Sequence, residues 1–366
     1  MHNKKYWVAF GAIEKISSAF IKCVYDYCEH DIERAWNISV QELKLVDGLK
    51  SKSVENFIEE RNKINPDEKL DVMLSKSVDV LAFDDALYPE LLKQIPNPPM
   101  TLFFKGNLSG CNFDRAFAVV GSRNISLGAK DNIKKIFKEF KNSDLLIVSG
   151  GAAGADTCAH EAAIENNMKT IAVLGSGFDK IYPAKNKRLF EEIVDNSGLL
   201  MSEYWMDFAP IAWRFPARNR IVAGMSYGTL IAEAALKSGA LITANLALEF
   251  GRELMCIPGA INNPNTQGIY KLLKQGAGIV TNAQDILDFM NWELCLQKSQ
   301  QSENFSELSE FEREVLQIIS KDCLTIDDIF NTLSIKEITL PELMTLLTTM
   351  EISGYIKTDE LGRYTI

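Results

Sequence analysis

Nowhere does the 366-residue chain stay apolar for anything near the roughly 20 residues a membrane-spanning helix requires. The opening Met1-His2-Asn3-Lys4-Lys5-Tyr6-Trp7 has no secretory apolar core or cleavage signal, so no membrane partner is expected and a cytoplasmic location is. The seven cysteines are odd in number, scattered, and never spaced as a Cys-x-x-Cys pair. That spacing excludes a disulfide framework and gives no zinc site. A Gly-x-x-x-x-Gly-Lys-Ser/Thr run is missing as well, which removes the phosphate-loop nucleotidases. Positive charge is also short: 39 Lys and Arg stand against 49 Asp and Glu, for a net −10, so any nucleic-acid site must be a local patch.

What is present is an ordinary globular composition, 46% hydrophobic and 24% charged, long enough for two or three domains. The acidity is uneven. Residues 113–293 carry 19 Lys and Arg against 19 Asp and Glu, residues 1–112 carry 14 against 17, and residues 294–366 carry 6 against 13. The middle of the chain is therefore free to present positive charge on one face.

From residue 113 short apolar runs alternate with helical patterns, the signature of a Rossmann-like, doubly wound α/β sheet. Residues 116–120, 145–149, 170–174, 199–202, 228–232 and 253–257 read as strands. Residues 129–140, 155–165, 185–195, 219–225 and 242–250 read as helices. Residues 1–66 form a small helical N-terminal domain in which Leu45 to Leu49, followed by Ser53 to Ile64, fits either a helix-hairpin-helix or a simple bundle connection. The sheet domain is expected over 77–293, with 77–112 as an extended entry segment holding the Pro96-Asn97-Pro98-Pro99 turn. Residues 294–304 read as a polar linker. A C-terminal winged-helix-like domain over 305–366 follows, with helices at 311–319, 325–333 and 340–353 and a closing hairpin around Leu361-Gly362. Its third helix carries no Lys or Arg, so protein docking is the favoured role and a degenerate DNA-reading helix the alternative.

Three Gly-rich turns fall at strand-to-helix junctions: Val120-Gly121-Ser122-Arg123, Ser149-Gly150-Gly151-Ala152-Ala153-Gly154-Ala155-Asp156, and Leu174-Gly175-Ser176-Gly177. At the carboxyl edge of an α/β sheet such turns bring backbone N–H groups and helix N-termini close to phosphate oxygens. A dinucleotide reading fails, because Gly175-Ser176-Gly177 lacks the third glycine and Asp195, about 20 residues on, falls in a helix. No cofactor is expected.

The most specific run is Phe215-Pro216-Ala217-Arg218-Asn219-Arg220-Ile221-Val222-Ala223-Gly224, followed by Ser238-Gly239-Ala240-Leu241-Ile242-Thr243-Ala244 and Ile257-Pro258-Gly259. With the three turns, Ala159-His160, Tyr182-Pro183 and Ser202-Glu203-Tyr204, these motifs resemble those of the DNA-processing protein A (DprA/Smf) family in order and spacing, over about residues 80–290; the first 65 residues resemble that family's sterile-alpha-motif-like domain and the tail its optional winged-helix domain. The resemblance implies a non-catalytic, single-stranded-DNA-binding protein that protects incoming DNA in natural transformation and competence. It implies loading of the RecA recombinase for DNA recombination, as a homodimer. It places DNA contacts on Gly121, Ser122, Arg123, Gly150, Gly151, Gly154, Gly175, Ser176, Gly177, Lys185, Arg218, Asn219, Arg220, Ser238, Gly239 and Thr243. Arg123, Arg218 and Arg220 suit phosphate gripping by guanidinium forks, the latter two from a helix start; for Arg218 and Arg220 an internal ion pair with a carboxylate such as Glu203 or Glu233 is the alternative role. The chain departs from the family where a lysine usually follows Tyr-Pro: Ala184 stands there and Lys185 comes next, with Lys187 and Arg188 as further candidates.

His160 invites a general-base reading, but no Ser, Cys or metal cluster is fixed beside it, and a structural role is preferred. Asp156 reads as a helix cap and not an acid. Trp205 and Trp213 divide evenly between base stacking and packing. The competing function is a nucleoside-monophosphate phosphoribohydrolase of the lysine-decarboxylase-like Rossmann family, whose loop Gly228-Thr229-Leu230 and Glu233 partly resemble.

Overall fold

A computed structural model describes residues 3–293, 309–319, 324–333, 338–352, 356–358 and 363–365. The described residues fall into two compact units, dividing near residue 296.

The first unit is built on a nine-stranded sheet: β1 (Asp79–Ala82), β2 (Thr101–Gly106), β3 (Ala116–Val120), β4 (Leu146–Ser149), β5 (Lys169–Leu174), β6 (Leu199–Ser202), β7 (Gly228–Ile231), β8 (Glu253–Cys256) and β9 (Gly278–Ile279). Their spatial order is β1-β2-β6-β5-β4-β3-β7-β8-β9. Strands β3 to β9 are parallel, as the buried, uninterrupted apolar runs predict. The doubly wound α/β class expected from the sequence is the class found. The entry segment adds a feature the alternation does not reveal, since β1 pairs antiparallel with β2, and β2 antiparallel with β6 in the register Phe103↔Ser202.

Alternate residues of each strand supply the two faces of the core. Ala118, Val148, Val173 and Met201 meet Ile221, Val222 and Ala244 on one side. Phe117, Val119, Ile147 and Leu230 meet Ile133, Phe137, Ala159 and Ala162 on the other. The covering helices include Leu127–Glu139, Ala155–Glu165, Lys187–Asp195, Arg214–Gly224 and Ala240–Glu249. One of them differs from its sequence-based bounds in a way that matters: Arg214–Gly224 begins five residues before the expected start at 219. Pro216 does not break it, because proline in the first helical turn displaces no intrahelical bond. Arg218 and Arg220 therefore sit in the body of that helix and not at its start.

The six N-terminal helices run from Lys4–Gly11 to Pro66–Ser75. Their core is aromatic: Phe10 stacks on Phe57 at 5.4 Å between ring centroids and meets Trp36 edge-on at 5.1 Å. Phe57 comes from the Ser51–Arg61 helix that follows the Gly48 turn, so that helix is committed to the bundle core. Val8 joins Phe103, Leu174 and Trp205 in a further cluster, and the N-terminal helices and the sheet make one compact unit.

In the second unit, helices Glu310–Ile319, Ile326–Thr332 and Leu340–Ile352 enclose Val315, Leu316, Leu343, Leu347 and Met350, with β10 (Lys357–Thr358) paired antiparallel to β11 (Tyr364–Thr365). The expected linker at 294–304 and the turn at Leu361-Gly362 lie outside the described residues.

Candidate nucleic-acid interface

The strand order diverges between β3 and β7, the crevice where open α/β sheets bind ligands. A cavity of about 430 Å³ opens there. The β3 turn (Gly121, Ser122, Arg123), Gly150 after β4, Arg218 and Asn219 from the Arg214–Gly224 helix, and Lys237, Ser238, Gly239 and Thr243 after β7 all line it. Gly239 is the N-cap of the Ala240–Glu249 helix, so a helix N-terminus with its favourable field for anions also faces the cavity.

The turns are held rigid by their own hydrogen bonds. Ser122 N–H donates to the Glu233 carbonyl at 2.7 Å, and Asn124 N–H to Ser122 Oγ at 3.1 Å. The buried Glu233 carboxylate accepts from Ser126 N–H at 2.9 Å and from Asn263 Nδ2 at 3.0 Å. Ala152 N–H donates to Asp156 at 3.1 Å. These N–H groups are consumed inside the protein, so none of the four is free to meet an anion at the cavity.

The three arginines singled out from the sequence occupy different environments. Arg123 is exposed at the cavity mouth and has no carboxylate partner among the described residues. Arg218 is buried; it donates to the carbonyl oxygens of Gly150 and Val173 and lies beside the Asp156 carboxylate. Burial pushes the Asp156 carboxyl above its ordinary value, an effect the Arg218 charge opposes. Asp156 is the second residue of its helix, where Gly154 is the N-cap, and it reaches back to brace the loop. Arg220 lies away from this cavity. Its guanidinium is taken by Glu203 at 2.6 Å and by the Asn97 carbonyl at 3.0 Å, the internal ion pair that was its alternative role.

Other expected contacts also separate. Gly175, Ser176 and Gly177 do not line the cavity, and Ser176 is fully buried. Gly177 is tight against chain: a β-carbon there would stand 1.9 Å from the Trp205 carbonyl oxygen. Gly151 and Gly154 shape the neighbouring loop, with φ of +65° and +88°. Lys185 is exposed in the short 3₁₀ turn Ala184–Asn186 and does not line the cavity, while Asn186 ties that turn to the loop through the Gly151 carbonyl at 3.0 Å. Lys187 and Arg188 pair with Glu191 and Glu192 on their own helix. Trp205 is core; Trp213 is 60% exposed.

Lys237 was not singled out from the sequence, yet it is exposed, lines the cavity and has no carboxylate partner among the described residues. Its signal is a basic residue directly before Ser238-Gly239-Ala240. His160 is fully buried and hydrogen-bonded through Nδ1 to Thr170 Oγ1 at 2.7 Å; burial, with help from Arg218, pushes its pKa down to about 3. A base so placed does not reach a substrate. Among the described residues no cluster of three or more potential metal ligands occurs, and no helix is long and apolar enough to cross a membrane.

Residues 79–291 match the family model for DNA recombination-mediator protein A. The chain is similar to Protein Smf of Synechocystis (36% identity over 288 residues, 78% of this chain and 72% of that protein). It is likewise similar to DNA processing protein DprA of Streptococcus pneumoniae (45% over 203 residues, 56% of this chain and 71% of that one). The crystal structure of the Streptococcus pneumoniae protein superposes with a TM-score of 0.68 at 33% identity, covering 81% of this chain and 99% of that chain. DNA processing protein A from Helicobacter pylori, which binds single-stranded DNA, superposes with a TM-score of 0.53 at 30% identity, covering 58% of this chain and 97% of that chain.

Proposed function

Since this chain belongs to the DNA recombination-mediator protein A family, we propose that it binds single-stranded DNA at the cavity between β3 and β7, protecting incoming strands and passing them to the RecA recombinase during natural transformation. We assign it a cytoplasmic, homodimeric working form without catalysis of its own. The carrying observation is that Arg123 and Lys237, two cations with no carboxylate partner among the described residues, converge with a helix N-terminus on one concave site. Cations of this kind supply the charge-assisted contacts that grip phosphate oxygens. The DNA-binding relative from Helicobacter pylori supports the same ligand.

The phosphoribohydrolase reading loses ground on two counts. Gly228-Thr229-Leu230 lies inside β7 and not in a loop, and the Glu233 carboxylate is already engaged by Ser126 and Asn263. The second unit, which we take as winged-helix-like, is assigned to protein contacts on the strength of the acidity of residues 294–366. Binding to single- and double-stranded oligonucleotides across a salt series tests the proposal. Single strands are expected to bind more tightly, with a slope in log affinity against log salt of roughly −0.7 per phosphate contacted. Equal or tighter duplex binding, or release of free base from AMP, overturns it.

A further inference from the structure

The helix Arg214–Gly224 has a second working side. Arg218 and Asn219 line the cavity between β3 and β7, while Arg214, Ala217 and Arg220 line a separate cavity of about 230 Å³ at the seam between the N-terminal helices and the sheet. The far wall of the seam cavity comes from the first two helices and the turn between them, through Phe10, Glu14 and Ser18.

Its polar groups are paired across the seam. Arg214, only 1% exposed, is held by Glu14 and by the Ala209 carbonyl at 2.6 Å. Glu203 accepts from Arg220 and from Ser18 Oγ, both at 2.6 Å. Two arginines and two glutamates leave the cavity close to neutral, so it suits no phosphate. One buried polar atom is left over, because Arg214 Nε has no partner. The walls are aromatic: the Arg214 guanidinium lies 4.7 Å from the Tyr204 ring centroid, 5.1 Å from Phe208 and 5.4 Å from Trp213. Trp213 stands at the rim with 60% of its surface exposed, so part of its aromatic surface is open at the cavity entrance.

We propose that this seam cavity is a base subsite: it takes a single unpaired nucleobase from a strand whose phosphates are held at Arg123 and Lys237, with Trp213 as the stacking surface. The inference rests on the proposed single-strand binding. Three properties select a base. The volume lies below the roughly 300 Å³ at which drug-sized ligands begin, which suits one ring system and not a whole nucleotide. Near neutrality, with the half-exposed Glu14 carboxylate as an acceptor in the wall, matches an uncharged ligand that carries N–H donors. The two cavities are also separated by no more than the body of one helix, about 10–12 Å across, a gap one strand can span.

The test compares a mixed-sequence single strand with a strand of equal length carrying a run of abasic sites at its centre. Base stacking on an aromatic side chain is sequence-tolerant and substantial. The wild-type protein is expected to bind the intact strand about tenfold more tightly. Trp213→Ala, and independently Ala217→Leu, which fills the cavity, should each reduce that preference at least threefold while leaving affinity for the abasic strand within twofold. Trp213→Phe should retain most of the preference. The subsite is overturned if Trp213→Ala and Ala217→Leu weaken both strands equally or leave the preference intact. Absence of wild-type binding to either strand overturns the single-strand reading itself, and the subsite with it.

Discussion

The α-carbon of Gly154 lies against the Ser122–Arg123 backbone so closely that a β-carbon would stand 2.3 Å from the Ser122 carbonyl oxygen and 2.6 Å from the Arg123 carbonyl carbon. Gly154 also has φ +88° and ψ −120°, a conformation that side chains resist. The loop after β4 therefore fixes the turn that carries Arg123. Gly154→Ala should cost at least about 2 kcal/mol in urea denaturation, from backbone strain and the enforced shift together. It should also lower single-strand affinity toward that of Arg123→Ala, although residue 154 itself holds no charge. A stable variant with unchanged binding would show that the turn is not held from below.

Arg123 is expected to outweigh Lys185. The first projects into the cavity from a turn braced by Glu233 and Gly154, whereas the second lies outside it. Arg123→Ala should weaken binding roughly tenfold to a hundredfold, the range for a lost charge-assisted hydrogen bond, and Lys237→Ala by a comparable factor. Lys185→Ala should cost less than half as much in free energy. Fluorescence-anisotropy titrations at fixed salt measure this, after melting curves confirm that each variant is folded. A larger loss at Lys185 would place the strand along the 3₁₀ turn instead.

Stability should fall in acid through His160. Its folded pKa of about 3 lies below the ordinary value of 6.5, so the neutral ring favours the folded state above pH 6.5, and that stability drains away as pH falls toward 3. Asp156 works in the opposite sense: its raised carboxyl favours the folded state at low pH, and this is lost as pH rises through the folded value. The isolated His160 contribution is on the order of a few kcal/mol. His160→Gln should therefore flatten the loss of stability between pH 6.5 and 5, measured by urea midpoints at each pH. An unchanged slope would mean that the ring takes up protons as readily in the folded as in the unfolded protein.

Removing the chain from Ser299 onward deletes all 13 Asp and Glu of residues 294–366 and five of its six Lys and Arg. Affinity for single strands should stay the same or rise, more visibly at low salt where charge repulsion is least screened. A large loss of binding would assign DNA contact to the second unit.

The alternation of apolar runs with amphipathic segments sufficed for the class of fold and for six of the nine strands of the sheet, because burial on both faces is written locally in each run. The Gly-rich turns marked the sheet edge on which the cavity opens, because glycine at a strand-to-helix junction is visible in the sequence; the contacts that require glycine at Gly121, Gly150 and Gly154, with Glu233, Arg218 and Ser122, are set by distant parts of the chain. What the run Arg218-Asn219-Arg220 does was not local. The angular position of that helix is set by distant contacts, with Gly224 packed on Leu92 and Ile95 and Arg220 drawn to Asn97 and Glu203. Those contacts turn Arg218 inward beneath Gly150 and Arg220 toward the seam. Tertiary packing likewise decided that Gly175 to Gly177 serve chain contacts, that β2 runs antiparallel beside β6, and that Lys237 reaches the cavity. A sequence states which groups a segment offers; which of them meet depends on how elements far apart in the chain come to lie against one another.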